Sequence, residues 1–197
     1  MLNEIFLLKR VADMFTKKAI ACLMVAGGLS MSAQAMDLSS PTVENGKTLQ
    51  NVQIFNGWGC TGKNESPALK WSDIPQGTKS FAVTMYDPDA PTGSGWWHWV
   101  MVDIPADVHS LPENVGMKDS KDLPKGAIQL RNDFGYDGFG GACPPAGAQP
   151  HNYQITVYAL NVPKLDIPAN ASPAYAGFFI LQHKIGEARL TAPTNAR

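Results

Sequence analysis

Three runs of alternating side chains constrain this chain most. Phe81, Val83 and Met85 fall on one parity and Ala82, Thr84 and Tyr86 on the other. Residues 96–104 are aromatic and β-branched, which suits a central strand. Tyr153, Ile155, Val157 and Ala159 alternate again through residues 153–160. A period of two over that length is the mark of sheet rather than helix. Weaker strands are expected over residues 52–55, 68–72, 128–131 and 189–192. The 18 glycines and 15 prolines are spread between these runs, as expected of short strands joined by turns. One helix is expected late in the chain. Ser172 can cap it, Pro173 suits the first helical position, and Tyr175, Phe178, Phe179 and Ile185 make the apolar stripe, with Gly186 as the stop. Many short strands with one or two helices argue for a mainly antiparallel two-layer domain.

The start of the chain follows a different logic. Lys17 and Lys18 precede the apolar run 19–29, and Ala33-Gln34-Ala35 ends the small-residue stretch that follows. A charged segment, a short apolar core and a small-x-small site make a secretory signal peptide. The run is well short of the roughly 20 residues that span a bilayer. Residues 1–35 are therefore expected to be removed, with Met14 as an alternative start, leaving one domain over 36–197 in the periplasm. Cys22 lies inside the apolar run rather than at its end, so lipid attachment there is not expected. Setting aside Lys9, Arg10, Lys17, Lys18, Glu4 and Asp13 from the 16 basic and 17 acidic residues leaves 12 and 15, a net charge of −3. No basic patch stands out, so nucleic acid is not an expected partner. No second hydrophobic span follows, so stable membrane insertion after cleavage is not expected. Cys60 and Cys143 remain, and in an oxidising compartment two thiols are expected to close into a disulfide rather than stay as separate buried thiols.

Four blocks place polar side chains at strand ends beside rigid turns, where a scaffold presents a site. They are Asp87-Pro88-Asp89-Ala90-Pro91, Gly95-Trp96-Trp97-His98-Trp99, Gly140-Gly141-Ala142-Cys143-Pro144-Pro145 and Pro150-His151-Asn152-Tyr153. His98 has the parity of Val100 and Val102, and His151 that of Tyr153 and Ile155, so both are expected at the rim of an apolar layer. There each needs a partner, and Asp87 or Asp89 can supply it. Against this, Asp-Pro-Asp-x-Pro is an ordinary turn sequence, and a single histidine is more often a satisfied core residue than a functional one. No serine-nucleophile elbow, zinc-protease motif or phosphate-binding P-loop is present, and the Asp/His spacing is not diagnostic of a metal site.

Taken in order, these blocks resemble the phosphatidylethanolamine-binding (Raf-kinase-inhibitor-like) family. The segment Asn64-Glu65-Ser66-Pro67-Ala68-Leu69-Lys70-Trp71 adds to the likeness, and Thr92-Gly93-Ser94-Gly95-Trp96-Trp97-His98-Trp99 looks like its bacterial branch. The resemblance covers nearly all of residues 36–197. It implies two antiparallel β-sheets with a Greek-key element and a few short peripheral helices. It also implies a small pocket for phosphate-like or carboxylate anions, built from Asp87, Asp89, Pro91, His98, Gly141, Pro144, Pro145, His151 and Tyr153. Where the family usually has arginine after the second histidine, this chain has Asn152, so a permanent cation is lost. In this reading the aspartates hold His98 or His151 as imidazolium, which faces the anion together with loop amides. No cofactor or metal is expected. Binding without turnover is the leading expectation, set against a His/Asp hydrolase and against a protein-interaction module with a vestigial pocket. The sequence names no protein partner and leaves association with a second copy open.

Overall fold

The computed structural model describes residues 35–195. Its elements are β1 (Asp37–Ser39), a 3-10 turn (Asn51–Gln53), β2 (Asn56–Gly57), β3 (Cys60–Thr61), β4 (Leu69–Ser72), β5 (Ser80–Asp87), β6 (Trp96–Pro105), β7 (Ser110–Leu111), β8 (Ile128–Gln129), β9 (Asn152–Leu160), α1 (Pro173–His183) and β10 (Lys184–Pro193). The signal-peptide expectation falls on residues outside this range. Among the described residues no helix is long and apolar enough to cross a membrane.

The three alternating runs form the centre, as their pattern requires. They make a five-stranded sheet in the order β10-β9-β5-β6-β8, antiparallel throughout. A three-stranded sheet, β1-β4-β7, lies across one face. Between the two, Phe81, Val83, Met85, Trp99, Met101 and Ile155 pack against Leu38, Leu69, Trp71 and Leu111. Trp71 meets Phe81 at a ring-centroid distance of 5.3 Å across the layers. The other face of the large sheet buries Ala82, Val100, Val102 and Leu160 under Ala176 and Ile180 of α1. The fold is thus the expected mainly β, antiparallel architecture, with one α-helix on its outer side.

Two bulges in β6 break the alternation. Phe81 pairs with Ile104 but Val83 with Met101, so β6 holds one extra residue there. Asp103 sits in the left-handed region at φ 58° and turns its Oδ1 to accept from Leu165 N at 2.8 Å. Its Oδ2 is buried without a partner, and burial raises the carboxyl above its usual range. Nearer the strand start, Met85 pairs with Trp99 but Tyr86 with Trp97, leaving His98 as the extra residue. One inserted residue flips parity. His98 therefore leaves the side of Val100 and Val102, where its parity had placed it, and meets Tyr153 on the opposite face at 5.0 Å.

Other expectations also shift. Residues 52–55 are not a strand: the 3-10 turn takes their place, and only Ile54 bridges to Ala142. The 128–131 run is cut to the two residues of β8, with Arg131 bridging to Asp137. In α1, Ser172 caps as expected, accepting from Tyr175 N at 3.2 Å, a contact typically contributing about 1 kcal/mol. Of the expected stripe only Phe179 packs against the sheet side, half-buried. The helix buries Pro173, Ala176 and Ile180 and leaves Tyr175, Phe178 and Leu181 exposed. Small Ala176 lets the helix approach the sheet closely, which Phe178 cannot do. Ile185 and Gly186 belong to β10, not to the helix.

Cys60 and Cys143 are bridged, their Cα atoms 6.0 Å apart and 83 residues apart in sequence. By chain entropy, closing a loop of that length stabilises by roughly 4 kcal/mol. Reduction should lower the melting temperature by on the order of 10 °C for a domain of this size. Thiol titration of the unfolded, non-reduced domain should find neither Cys60 nor Cys143 free. Two reactive thiols there, or an unchanged melting temperature on reduction, would contradict the bridge.

Candidate functional site

The ends of β5, β6 and β9 converge on a cavity of about 300 Å³. Asp87, Pro91, His98, Pro144, Pro145, His151 and Tyr153 all line it, joined by Trp58, Trp96 and Phe134. Three of the four sequence blocks approach from strand ends, and the fourth, residues 140–145, reaches the cavity as a loop through Cys143, Pro144 and Pro145.

Asp87 closes β5 with its side chain buried. Its Oδ1 accepts from Asp89 N at 2.9 Å, the local turn that Asp-Pro-Asp favours. Its Oδ2 receives the Nδ1 proton of His151 at 2.7 Å. His151 is fixed from behind as well: its amide donates to Thr194 Oγ1 at 3.2 Å, and its carbonyl accepts from Thr194 N at 2.9 Å. With Nδ1 committed to the carboxylate, Nε2 is the ring nitrogen left to meet a ligand.

His98 is a different histidine. Its Nδ1 lies 2.7 Å from the carbonyl oxygen of Gly140, so that nitrogen carries the proton. Burial lowers its pKa from 6.5 to about 4, although the Gly140 carbonyl and Asp87 pull the other way. The ring is neutral at ordinary pH and offers Nε2 as an acceptor. The expected imidazolium therefore cannot be His98. Tyr153 stays a protonated phenol, pushed above its usual range first by burial and then by the Asp87 carboxylate.

Two expected site residues stand outside the lining. Asp89 turns away and receives the backbone and side-chain N–H groups of Asn152 at 2.7 and 3.1 Å. Where an arginine would bring charge, Asn152 gives Asp89 a neutral partner and ties the Asp-Pro turn to the start of β9. Gly141 packs behind the cavity: a Cβ there would meet Gln53 O and Phe55 N at 2.6 Å. The amide of Gly141 donates to Asn64 Oδ1 at 2.7 Å, that of Gly140 to His98 O at 2.8 Å and that of Ala142 to Gln53 O at 3.0 Å. These amides hold the loop in place, contrary to the expectation that they face an anion.

The aromatic wall was missed from sequence. Trp58 stacks on Phe134 at 4.9 Å, and Trp96 stands edge-on to Phe134 at 5.5 Å. A signal existed in Gly57-Trp58-Gly59-Cys60: a large apolar residue between glycines, beside a cysteine expected to bridge to the site loop.

The depressed His98 has a consequence for stability. Its folded-state pKa lies below its unfolded value, so the unfolded chain binds the extra proton. The contribution is complete above about pH 6.5 and is lost as pH falls towards 4, by up to roughly 3 kcal/mol. His98→Asn should flatten the fall in melting temperature across that window. An identical slope in the variant would contradict a neutral, buried His98.

Comparison with known proteins fits this geometry. The phosphatidylethanolamine-binding protein family model matches residues 39–195. YbcL of Escherichia coli K12, a UPF0098 protein, is 52% identical over 162 residues, covering 82% of this chain and 88% of its own. YbhB of the same organism is 48% identical over 157 residues, 80% of this chain and 98% of its own. LppC of Mycobacterium tuberculosis, whose name carries the word lipoprotein, is 33% identical over 159 residues, 81% of this chain and 72% of its own. The crystal structure of Escherichia coli YbcL matches with a TM-score of 0.80 at 51% identity, over 82% of this chain and 99% of that one. That of the homologue CT736 of Chlamydia trachomatis gives 0.69 at 26% identity, over 83% and 99%. The chain belongs to the phosphatidylethanolamine-binding protein family.

Proposed function

We propose that this is an exported, non-catalytic binding protein whose cavity takes a small anionic group, phosphate-like or carboxylate. The observation that carries the reading is the buried Asp87–His151 pair, 2.7 Å apart, which leaves His151 Nε2 as the ring nitrogen able to meet a ligand in the cavity. A protonated His151 is stabilised by Asp87 and puts an N–H with positive charge where an anion can meet it. His98 Nε2 complements this donor as an acceptor, suited to an anion that carries a proton of its own. Binding without turnover is supported by the lining, where among the described residues no serine stands and the other hydroxyl and thiol candidates are engaged. The Thr92 hydroxyl is engaged with Gly95 O, and Cys143 is in the disulfide. Export is supported by the leader-like segment, the disulfide and the lipoprotein name of the relative LppC.

One observation favours a second reading. A carboxylate that orients a histidine at 2.7 Å is also the arrangement of a general base and its positioning partner. A hydrolase built on it would turn over generic esters or phosphoesters and lose that activity in His151→Ala. A binding protein would show saturable binding and no turnover.

Two outcomes are expected. Sulfate removes the complication of a ligand that itself titrates near neutrality. Its binding, measured by calorimetry, should be saturable and should weaken by at least about tenfold in His151→Asn, which removes the ring that Asp87 orients. Equal affinity in parent and variant would refute the role given to His151. Protein recovered from a periplasmic extract should have a mass lacking residues 1–35, and a mass that retains residues 19–29 would refute export with cleavage.

A further inference from the structure

The cavity is larger than the anion it is proposed to hold. A water occupies about 30 Å³ of liquid, so about 300 Å³ has room for on the order of ten groups of that size. A sulfate or phosphate, whose four oxygens are bonded to one central atom, fills only a minor part of it. The rest of the wall is apolar: Trp58, Trp96, Phe134, Pro91, Pro144 and Pro145. No lysine or arginine lines it among the described residues.

Trp58 is the unusual member of this wall. It is 63% exposed although it packs on Phe134 and Trp96. Its backbone lies in the left-handed region at φ 54°, which a bulky side chain rarely adopts and which costs about 1–3 kcal/mol. The conformation is held from both sides. Gly57 and Gly59 flank it, also at positive φ, and the bridge from Cys60 to Cys143 ties the loop to the 140–145 segment that also lines the cavity. A strained, solvent-facing tryptophan fastened at a cavity mouth is costly for stability alone. It is suited to presenting a flat apolar surface to whatever projects from the anion.

We propose that Trp58 is a specificity residue, and that with Trp96 and Phe134 it makes the site select an anion carried on a ring-shaped apolar body over the bare anion. The proposal rests on the anion reading above. The anionic group sits at His151, and the ring lies against Trp58 within the apolar wall that Pro144 and Pro145 continue.

The test compares methyl sulfate with phenyl sulfate, which carry the same charge and differ only in the body attached. Calorimetry on the disulfide-intact domain at mildly acidic pH should show phenyl sulfate binding at least about tenfold more tightly, the gain expected of ring stacking with apolar burial. Trp58→Ala should weaken phenyl sulfate at least several-fold more than it weakens methyl sulfate, bringing the two affinities to within a few-fold of each other, and Trp58→Phe should restore most of the preference. Equal binding of the two probes, or a preference that survives Trp58→Ala, overturns this proposal and leaves the anion reading intact. Failure of both probes to bind removes the anion reading itself, and this inference with it. Trp58 is exposed, so the alanine variant should keep the parent's melting temperature to within a few degrees. A collapse of stability in both Trp58 variants would instead assign the residue a structural role and overturn the proposal.

Discussion

Asp87 ends the central strand β5 as a buried carboxylate with both oxygens occupied. One accepts from the amide two residues on, the other from His151 of β9. Each contact does something a neutral side chain could not. The first fixes the turn that carries Pro91 into the wall. The second sets the tautomer of His151 and holds its ring in place. Burial, reinforced by the same charge, keeps the Tyr153 phenol protonated, and that charge counteracts, without overcoming, the burial that leaves His98 neutral. Removing one member of such a pair typically costs 3–5 kcal/mol, because the other is left buried and uncompensated. The residues that line the cavity are thus coupled through one carboxylate rather than assembled independently.

The sequence made much of this legible, and the reasons for what it hid are physical. Alternation found β5, β6 and β9 because both faces of that sheet are buried against different layers, so each parity has its own apolar set. The four polar blocks stood out because they sit at the ends of those strands, between prolines and glycines. The facing of His98 was not legible. A bulge inserts one residue, and period-two reasoning then gives the wrong side for everything up to it; nothing in Trp97-His98-Trp99 marks the slip. The face of α1 was hidden for a related reason. Its sequence is apolar nearly all round, so the stripe of largest residues is no guide, and it is small Ala176 that allows contact with the sheet.

The loop at residues 140–145 shows how a glycine-rich segment beside a pocket can be scaffold rather than receptor. The backbone around Ala142 adds a parallel bridge to Ile54, with Phe55 N donating to Ala142 O at 2.9 Å. Gly141 is required because a side chain would strike the 53–55 backbone, and Asn64 reaches across to hold its amide. With the amides of 140–142 occupied in this way, what the loop offers the cavity is the two prolines beyond them, which have no N–H to satisfy and a fixed shape.

This redistributes the electrostatics of the site. Carboxylates beside the proposed anion site look contradictory only while both are assumed to face it. Asp89 does not: its charge is directed at the backbone and side-chain amides of Asn152, outside the lining. Asp87 does line the cavity, with no permanent cation among the described lining residues to balance it. The hydrogen bond from His151 is what engages that carboxylate, and it leaves Nε2 as the ring nitrogen available to the cavity. An arginine at position 152 would bring a fixed cation to Asp89. Asparagine keeps the hydrogen bonds that fasten β9 to the Asp-Pro turn without adding that charge, so the carboxylate that faces the cavity and the one that ties the strand to the turn are satisfied separately, each by its own partner on β9 or at its start.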